Sequence, residues 1–329
     1  MRKKFVKNPA ECKALWNALI SHRNVSDLWD FRACFQTRYA SEPYFMILED
    51  RKGIVGMAPL CYSRELERLI FYPGETWQGK TWLERTPLYL RDTRYLPDLL
   101  FACPEPTYLR YMDLPLAGAD AGVSVDEIGY VLYPPAIHFD PSLFAGRFST
   151  KKYKAIVKTI HAITGKDTTF HVNRIEDFDL LVDMNISRFG EYSYLSDPRF
   201  REGFRDVMFY LLHRDLLRMV SLEIDGKTRA VDLGAIFRGV YTVFIGGTDP
   251  DIPGVAKVIN MHHITYACST GLKKVDFLCG EFHWKQLWHL DPEPLYKFIS
   301  PDLALEEVGR PSLQDESAGY LLPGEVHAG

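Results

Sequence analysis

The chain has no apolar run near the roughly 18 residues that a membrane-spanning helix requires, so no transmembrane segment is expected. Its basic N-terminus, MRKKFVKNPAEC, lacks the apolar core of a secretory leader. The six cysteines, Cys12, Cys34, Cys61, Cys103, Cys268 and Cys279, include no C-x-x-C pair and sit in apolar surroundings. Reduced thiols and a cytoplasmic location are therefore expected, and the sequons at Asn24 and Asn185 carry no meaning there. A positive excess is also missing: the net charge is −4, which argues against a general nucleic-acid binder and against DNA as a partner. No G-x-S-x-G elbow is present, so hydrolysis by an activated serine is not expected. His262-His263 has no third ligand at a standard spacing and no H-E-x-x-H motif occurs, so no metal is expected.

What is present suits a full globular core. Apolar residues make up 47% and aromatics 13% of 329 residues, a length that fits two domains better than one. Periodicity predicts helices over 9–21, 26–40, 93–102, 176–189 and 199–213, and a basic helix from Ser149 through Lys158. Strands are expected at 44–48, 54–62, 69–72, 109–114, 130–133, 168–173, 216–224, 229–237 and 240–246. YFMILEDRKGIVGMAPL (44–60) parallels VSLEIDGKTRAVDLGAI (220–236): each is strand, charged glycine turn, strand. This repeat predicts a duplicated fold with units at 1–145 and 146–309, followed by a peripheral tail, 310–329.

The stretch from Tyr241 to Trp288 carries the most chemistry. The strand Tyr241 to Ile245 runs into a Gly, Asp and Pro turn. Pro253-Gly254 then opens a helix with apolar residues at Val255, Val258, Met261, Ile264 and Cys268, spaced by three or four. Gly271 ends it, and a short buried strand, Val275 to Leu278, follows. Strand, glycine turn, helix N-terminus and strand can hold a phosphorylated ligand on free backbone N–H groups.

The ordered set Gly247-Thr248-Asp249, Pro253-Gly254 and Asp276-Phe277-Leu278-Cys279-Gly280 followed by Lys285 resembles the coenzyme A-binding core of GNAT acyltransferases. More narrowly it resembles the FemAB/CelD-like branch, with two GNAT folds in one chain. The resemblance is close over about 50 residues and looser over roughly 15–300. It implies a mixed α/β (α+β) fold of mostly antiparallel sheets flanked by helices. It further implies an acyl-CoA donor, acetyl-CoA or longer, and an amine acceptor in an amino-acid-like, sugar or cell-envelope precursor. Ile252 to Lys257 stands where ordinary GNAT enzymes carry a Gln/Arg-x-x-Gly-x-Gly/Ala loop. That departure keeps an aminoacyl-tRNA donor open, as FemAB-type relatives use, with tRNA ranked behind coenzyme A.

Acyl transfer to an amine needs a held donor, a neutral amine, oxyanion donors and a proton for the leaving group. Pro253, Gly254, Val255, Ala256 and Lys257 are the candidates for holding the donor; the alternative is an ordinary turn into a helix. Glu281, His283 and Asp276 are candidates for deprotonating the amine, although Asp276 in mid-strand could instead be a structural acceptor paired with Lys285. Tyr241 is a candidate proton donor to the leaving thiolate, or a core tyrosine. Asp232, Lys285, Trp284 and Trp77 are candidates for contacting the acceptor, with Asp232 expected to face a groove. Direct attack is expected, since no cysteine or serine stands placed as a nucleophile, and Cys279 reads as core.

A rival motif is Gly74 to Thr81, which matches the Walker A pattern G-x-x-x-x-G-K-[ST] letter for letter. Pro87 leaves little room for the long helix that a phosphate-binding loop must open, so a loop lining a groove through Trp77 and Trp82 is the favoured reading. A nucleotide-binding protein and a binding module without catalysis stay as alternatives.

Overall fold

The computed structural model describes residues 1–79, 81–114, 122–280 and 283–303, and of His283 the backbone alone. The first half begins with β1 (Arg2–Val6), α1 (Pro9–Leu19) and α2 (Trp29–Tyr39). Asn8 starts α1 by accepting the amides of Ala10 and Glu11, and Pro9 supplies a preset first turn. Next come β2 (Phe45–Asp50), β3 (Gly53–Ala58), β4 (Leu60–Ser63), β5 (Arg68–Phe71), β6 (Tyr89–Leu90), α3 (Leu96–Ala102), β7 (Tyr108–Met112) and β8 (Val123–Leu132). The sequence predicts one strand over 54–62. Pro59, with no N–H to give, splits it into β3 and β4, which join different sheets.

The second half contains α4 (Pro141–Ala145), α5 (Thr150–Thr164), β9 (Thr168–Val172), α6 (Phe178–Phe189), α7 (Pro198–His213), β10 (Leu217–Ile224), β11 (Lys227–Phe237), β12 (Val240–Thr248), α8 (Val255–Ser269), β13 (Lys274–Asp276), α9 (His283–Leu287) and β14 (Asp291–Ile299). A large sheet runs β7-β14-β8-β13-β12-β11-β10-β9, and a smaller one runs β1-β2-β3-β6. Every pairing of named strands is antiparallel except β12 with β13, which is parallel. The hairpins β2–β3 and β10–β11 each shift register just before their turns, between Leu48 and Glu49 and between Leu222 and Glu223.

The large sheet draws β7 and β8 from before residue 145 and inserts β14, near the other end of the chain, between them. β14 was hidden in the sequence by Pro292 and Pro294. Both lie where β14 pairs with β8 alone, before its pairing with β7 begins at Tyr296, so the missing N–H groups interrupt no ladder on that side.

Side chains alternate across the large sheet. Val231, Leu233 and Ala235 of β11 pack with Phe31 and Phe35 of α2, with α6, and with Phe200 and Phe204 of α7. Tyr241, Val275 and Phe277 pack on the opposite face with Ile264, Ala267 and Cys268 of α8. Both faces are buried, and the edge between β12 and β13 is where the sheet opens. Among the described residues no helix is long and apolar enough to cross a membrane.

Candidate functional site

β12 and β13 pair over only three positions, ending at Thr242 opposite Asp276. Beyond that point β12 continues along β11, with Phe244 bulged out between the pairs Gly234–Val243 and Leu233–Ile245. The other strand follows β8 instead: the Phe277 amide donates to Tyr130 O, and the Tyr130 amide to Leu278 O. The two parallel strands therefore part. On the face opposite α8 the gap holds a tight cavity lined by Thr242 and Phe244 from one strand and Asp276 and Leu278 from the other. The first half supplies its remaining wall: Trp82 to Arg85 from one loop, with Asn24 and Ser26. The water-accessible volume is about 20 Å³, close to the room of one water.

The turn after β12 leads into α8. Asp249 organises it by accepting the Asp251 amide and pairing with Arg229. Gly254 caps the helix at φ +87°, and a Cβ there would lie 2.4 Å from Thr159 Cγ2 of α5. The Val255 and Lys257 amides are used within the turn, donating to Ile252 O and Gly254 O. The Gly254 and Ala256 amides have no backbone acceptor among the described residues, and Lys257 is half-buried in the first helical turn.

This is the region matched by a known family. Residues 154–286 fit the family model described as an acetyltransferase (GNAT) domain. No curated protein sequence matches the chain. Among solved structures, FemX superposes with a TM-score of 0.58 at 10% identity, covering 94% of this chain and 100% of its own. L-PGS from Bacillus licheniformis gives 0.53 at 11% identity, covering 92% and 96%. A DUF2156 C-terminal domain from Agrobacterium fabrum, assigned to a lysylphosphatidylglycerol synthetase, gives 0.55 at 12% identity, covering 91% and 95%. At such identities these likenesses speak for the fold, a mixed α/β GNAT-like architecture spanning nearly the whole chain.

Within and around the matched segment the expected site residues separate into groups. Glu281 and the side chain of His283 lie outside the described residues. Asp276 is buried, but its partner is Arg85 rather than Lys285: Arg85 Nε lies 2.5 Å from Asp276 Oδ2. Its Oδ1 accepts the Leu278 amide. Burial alone would raise the Asp276 pKa; the charges of Arg85 and Lys274 outweigh it and hold the carboxyl below its usual range. A carboxylate so held is a poor proton acceptor, so the structure favours the structural reading of Asp276 over the catalytic one.

Lys285 is buried in α9 and donates to the carbonyls of Leu278 and Cys279, fixing the turn beyond β13. Leu278 in that turn has φ +62°, the left-handed region that a branched side chain rarely adopts. Trp284 packs edge-on against Phe277 and Trp288 in the core beneath α8, not in the cavity. Trp77 packs against Tyr194 with ring centroids 4.6 Å apart and planes tilted by 39°, while Trp82 reaches the cavity wall.

Asp232 and Tyr241 occupy a different place from the expected one. Both face α8, where His263 is fully buried between them. His263 Nε2 lies 2.8 Å from Asp232 Oδ2, and His263 Nδ1 lies 3.0 Å from Tyr241 Oη. A carboxylate can only accept, so Nε2–H points to Asp232, while Nδ1 meets the tyrosine hydroxyl. Gly246 opposite makes room for the carboxylate, since a Cβ there would sit 1.8 Å from Asp232 Oδ1. Asp232 therefore does not face an open groove, and Tyr241 is a core tyrosine. The adjacent His262 stacks on Phe170 at 3.9 Å, and burial, then the charges of His263 and Arg218, lower its pKa to about 4.

The Walker-like loop lacks the surroundings of a phosphate-binding loop. Lys80 lies outside the described residues, and residues 81–92 contain β6 but no helix. The buried Glu75 carboxylate accepts the amides of Trp82 and Leu83, so an anion of the protein already fills that bend. A phosphate-binding loop needs such amides free and a helix behind them.

Sequence reasoning missed Glu84 and Arg85. Both come from a loop of the first half and meet residues 276–279 across 191 and 195 positions of chain. The tripeptide Glu84-Arg85-Thr86 offers no local pattern that marks it.

Proposed function

We propose that the chain is an N-acyltransferase that moves an acyl group from an acyl-CoA to an amine by direct attack. The observation that carries this reading is the parting of β12 and β13 after Thr242 and Asp276, with α8 opening on Gly254 at the end of β12. The Gly254 and Ala256 amides, without a backbone acceptor among the described residues, the helix dipole and Lys257 suit the phosphates of the donor. The parted ends of the strands, rather than the one-water cavity itself, suit its thioester. The acceptor is an amino-acid-like, sugar or cell-envelope precursor, and the first half of the chain shapes its side through Trp82, Glu84 and Arg85. In this reading the chain is a cytoplasmic, CelD-like tandem of two GNAT-like units, 1–145 and 146–309. The equivalent register shifts of hairpins β2–β3 and β10–β11 support that ancestry, even though the large sheet takes strands from both units.

A second reading uses an aminoacyl-tRNA donor, favoured by the departure of Ile252 to Lys257 from the usual GNAT loop. Thermal shift of the purified protein with acetyl-CoA, a long-chain acyl-CoA and ATP–Mg²⁺ tests the first reading. Ligand at about 100 times its dissociation constant stabilises by roughly 2.7 kcal/mol. A shift with an acyl-CoA, reduced in Lys257→Ala, is the expected result. No shift with either acyl-CoA moves the weight to aminoacyl-tRNA or to a module without catalysis.

A further inference from the structure

We propose that Glu84, supplied by the first half of the chain, is the group that takes the proton from the attacking amine. The inference rests on the acyltransferase reading and names the base that the reading leaves open. Glu84 lines the cavity between the parted strands. Both its carboxylate oxygens lie 2.8 Å from the amide of Cys279 just beyond β13, and the Cys279 thiol also hydrogen-bonds to the carboxylate. An ionised carboxylate has about four acceptor positions, so these two Cys279 donors leave it spare acceptor capacity.

The other buried acids nearby are committed elsewhere. Asp276 is held by Arg85 and the Leu278 amide. Glu75 holds the Trp82 and Leu83 amides, and Asp27 holds those of Arg23 and Asn24. Asp232 lies on the far face of the sheet with His263. Glu84 alone of these combines a place on the cavity wall with unused acceptor capacity.

Its titration suits the role. Burial pushes the Glu84 carboxyl up to about 7; the Lys285 charge works against the rise and the Asp276 charge adds to it. Arg85, Tyr111, Tyr194 and Cys279 also face it and feel its charge. A base poised near the working pH is the effective kind.

The step balances as follows. The amine nitrogen bonds to the thioester carbonyl carbon, and one N–H proton passes to Glu84 Oε. The C–S bond breaks, and Glu84 returns that proton to the departing thiolate. The products are the amide and free coenzyme A thiol, with Glu84 again ionised.

Two readouts test the proposal on the full chain. The first is infrared difference spectroscopy of the ligand-free protein against Glu84→Gln between pH 4 and 9. A carboxyl that titrates near pH 7 and vanishes in the variant is expected; one that titrates in the ordinary carboxylate range overturns the proposal. The second is thiol release from acetyl-CoA with a panel of probe amines (amino acids, aminosugars, polyamines). Glu84→Gln is expected to lower it by about 100-fold or more, with Glu84→Asp retaining part of the rate. It should also remove the rise of rate through pH 7. Rates within threefold of wild type and an unchanged pH profile overturn the proposal. Acetyl-CoA thermal shift separates the two failures: a variant that loses turnover but keeps the shift has lost the base, whereas a wild type that shows no shift has lost the donor reading itself.

Discussion

Arg85 and Asp276 lie 191 residues apart and meet at 2.5 Å, with side chains 5% and 1% exposed. The pair joins the loop of the first half to β13, the strand that parts from β12. Arg85 also reaches Glu293 of β14 at 2.7 Å, and Lys274 reaches the same carboxylate at 2.7 Å. Asp276→Ala removes one carboxylate from this buried set and leaves Arg85 with Glu293 alone. Breaking a buried pair by deleting one partner costs about 3–5 kcal/mol, and the remaining Glu293 contact places this variant near the lower end. Urea unfolding of wild type and Asp276→Ala measures it; a loss under about 1 kcal/mol would mean that the pair does not tie the halves together.

The raised pKa of Glu84 makes stability depend on pH in an unusual sense. The unfolded group titrates near about 4.3 and the folded one near about 7. Between these values the folded chain binds more protons, so stability contributed by the protonated form is fully present below about 4.3 and is lost as pH rises through 7. Glu84→Gln should flatten this slope, on the order of 3 kcal/mol across the window. Asp276 acts oppositely: its folded pKa is depressed, so its stabilisation holds above the ordinary carboxylate range and is lost as pH falls through the folded value. Urea midpoints at pH 5, 6, 7 and 8 for wild type and Glu84→Gln check the prediction, and parallel curves would refute it.

His263 is expected to matter for folding rather than chemistry. It joins Asp232 of β11, Tyr241 of β12 and α8 at a point fully closed to solvent. His263→Leu keeps the volume roughly but leaves an ionised carboxylate and a hydroxyl without their partner, at a cost of about 3–5 kcal/mol. Adding Asp232→Asn should recover part of that loss, because the uncompensated charge goes. Thermal melts of the single and double variants test this; an additive double variant would show that the two residues do not act as a pair.

What the sequence made legible was local. Pro253-Gly254, the three-and-four spacing of Val255, Val258, Met261 and Ile264, and Gly271 mark α8 through chemistry that neighbours along the chain supply. The β10–β11–β12 order is legible for the same reason. β8 was seen only at its apolar end, because Val123 to Ile128 carries Asp126 and Glu127, which Arg110 of β7 compensates. Asp232 misled because an acid in an apolar strand signals either a groove or a buried partner. Here the partner is His263, 31 residues on, and spacing alone does not choose between the two. Glu84 and Arg85 were invisible because their meaning arises from contacts across nearly 200 residues, which no local window contains.

Gly254 offers the sharpest test of the proposed donor site. Its φ of +87° lies where a side chain costs about 1–2 kcal/mol, and a Cβ would meet Thr159 Cγ2 at 2.4 Å. Gly254→Ala should therefore lower stability through two separable causes. Thr159→Ala removes the methyl group in the way, so the double variant should regain the steric share and keep only the backbone share. If the turn holds the donor phosphates, acetyl-CoA should protect Gly254→Ala less than wild type, and the double variant should recover some of that protection. Equal protection of all three proteins would show that the turn opens α8 without touching the donor.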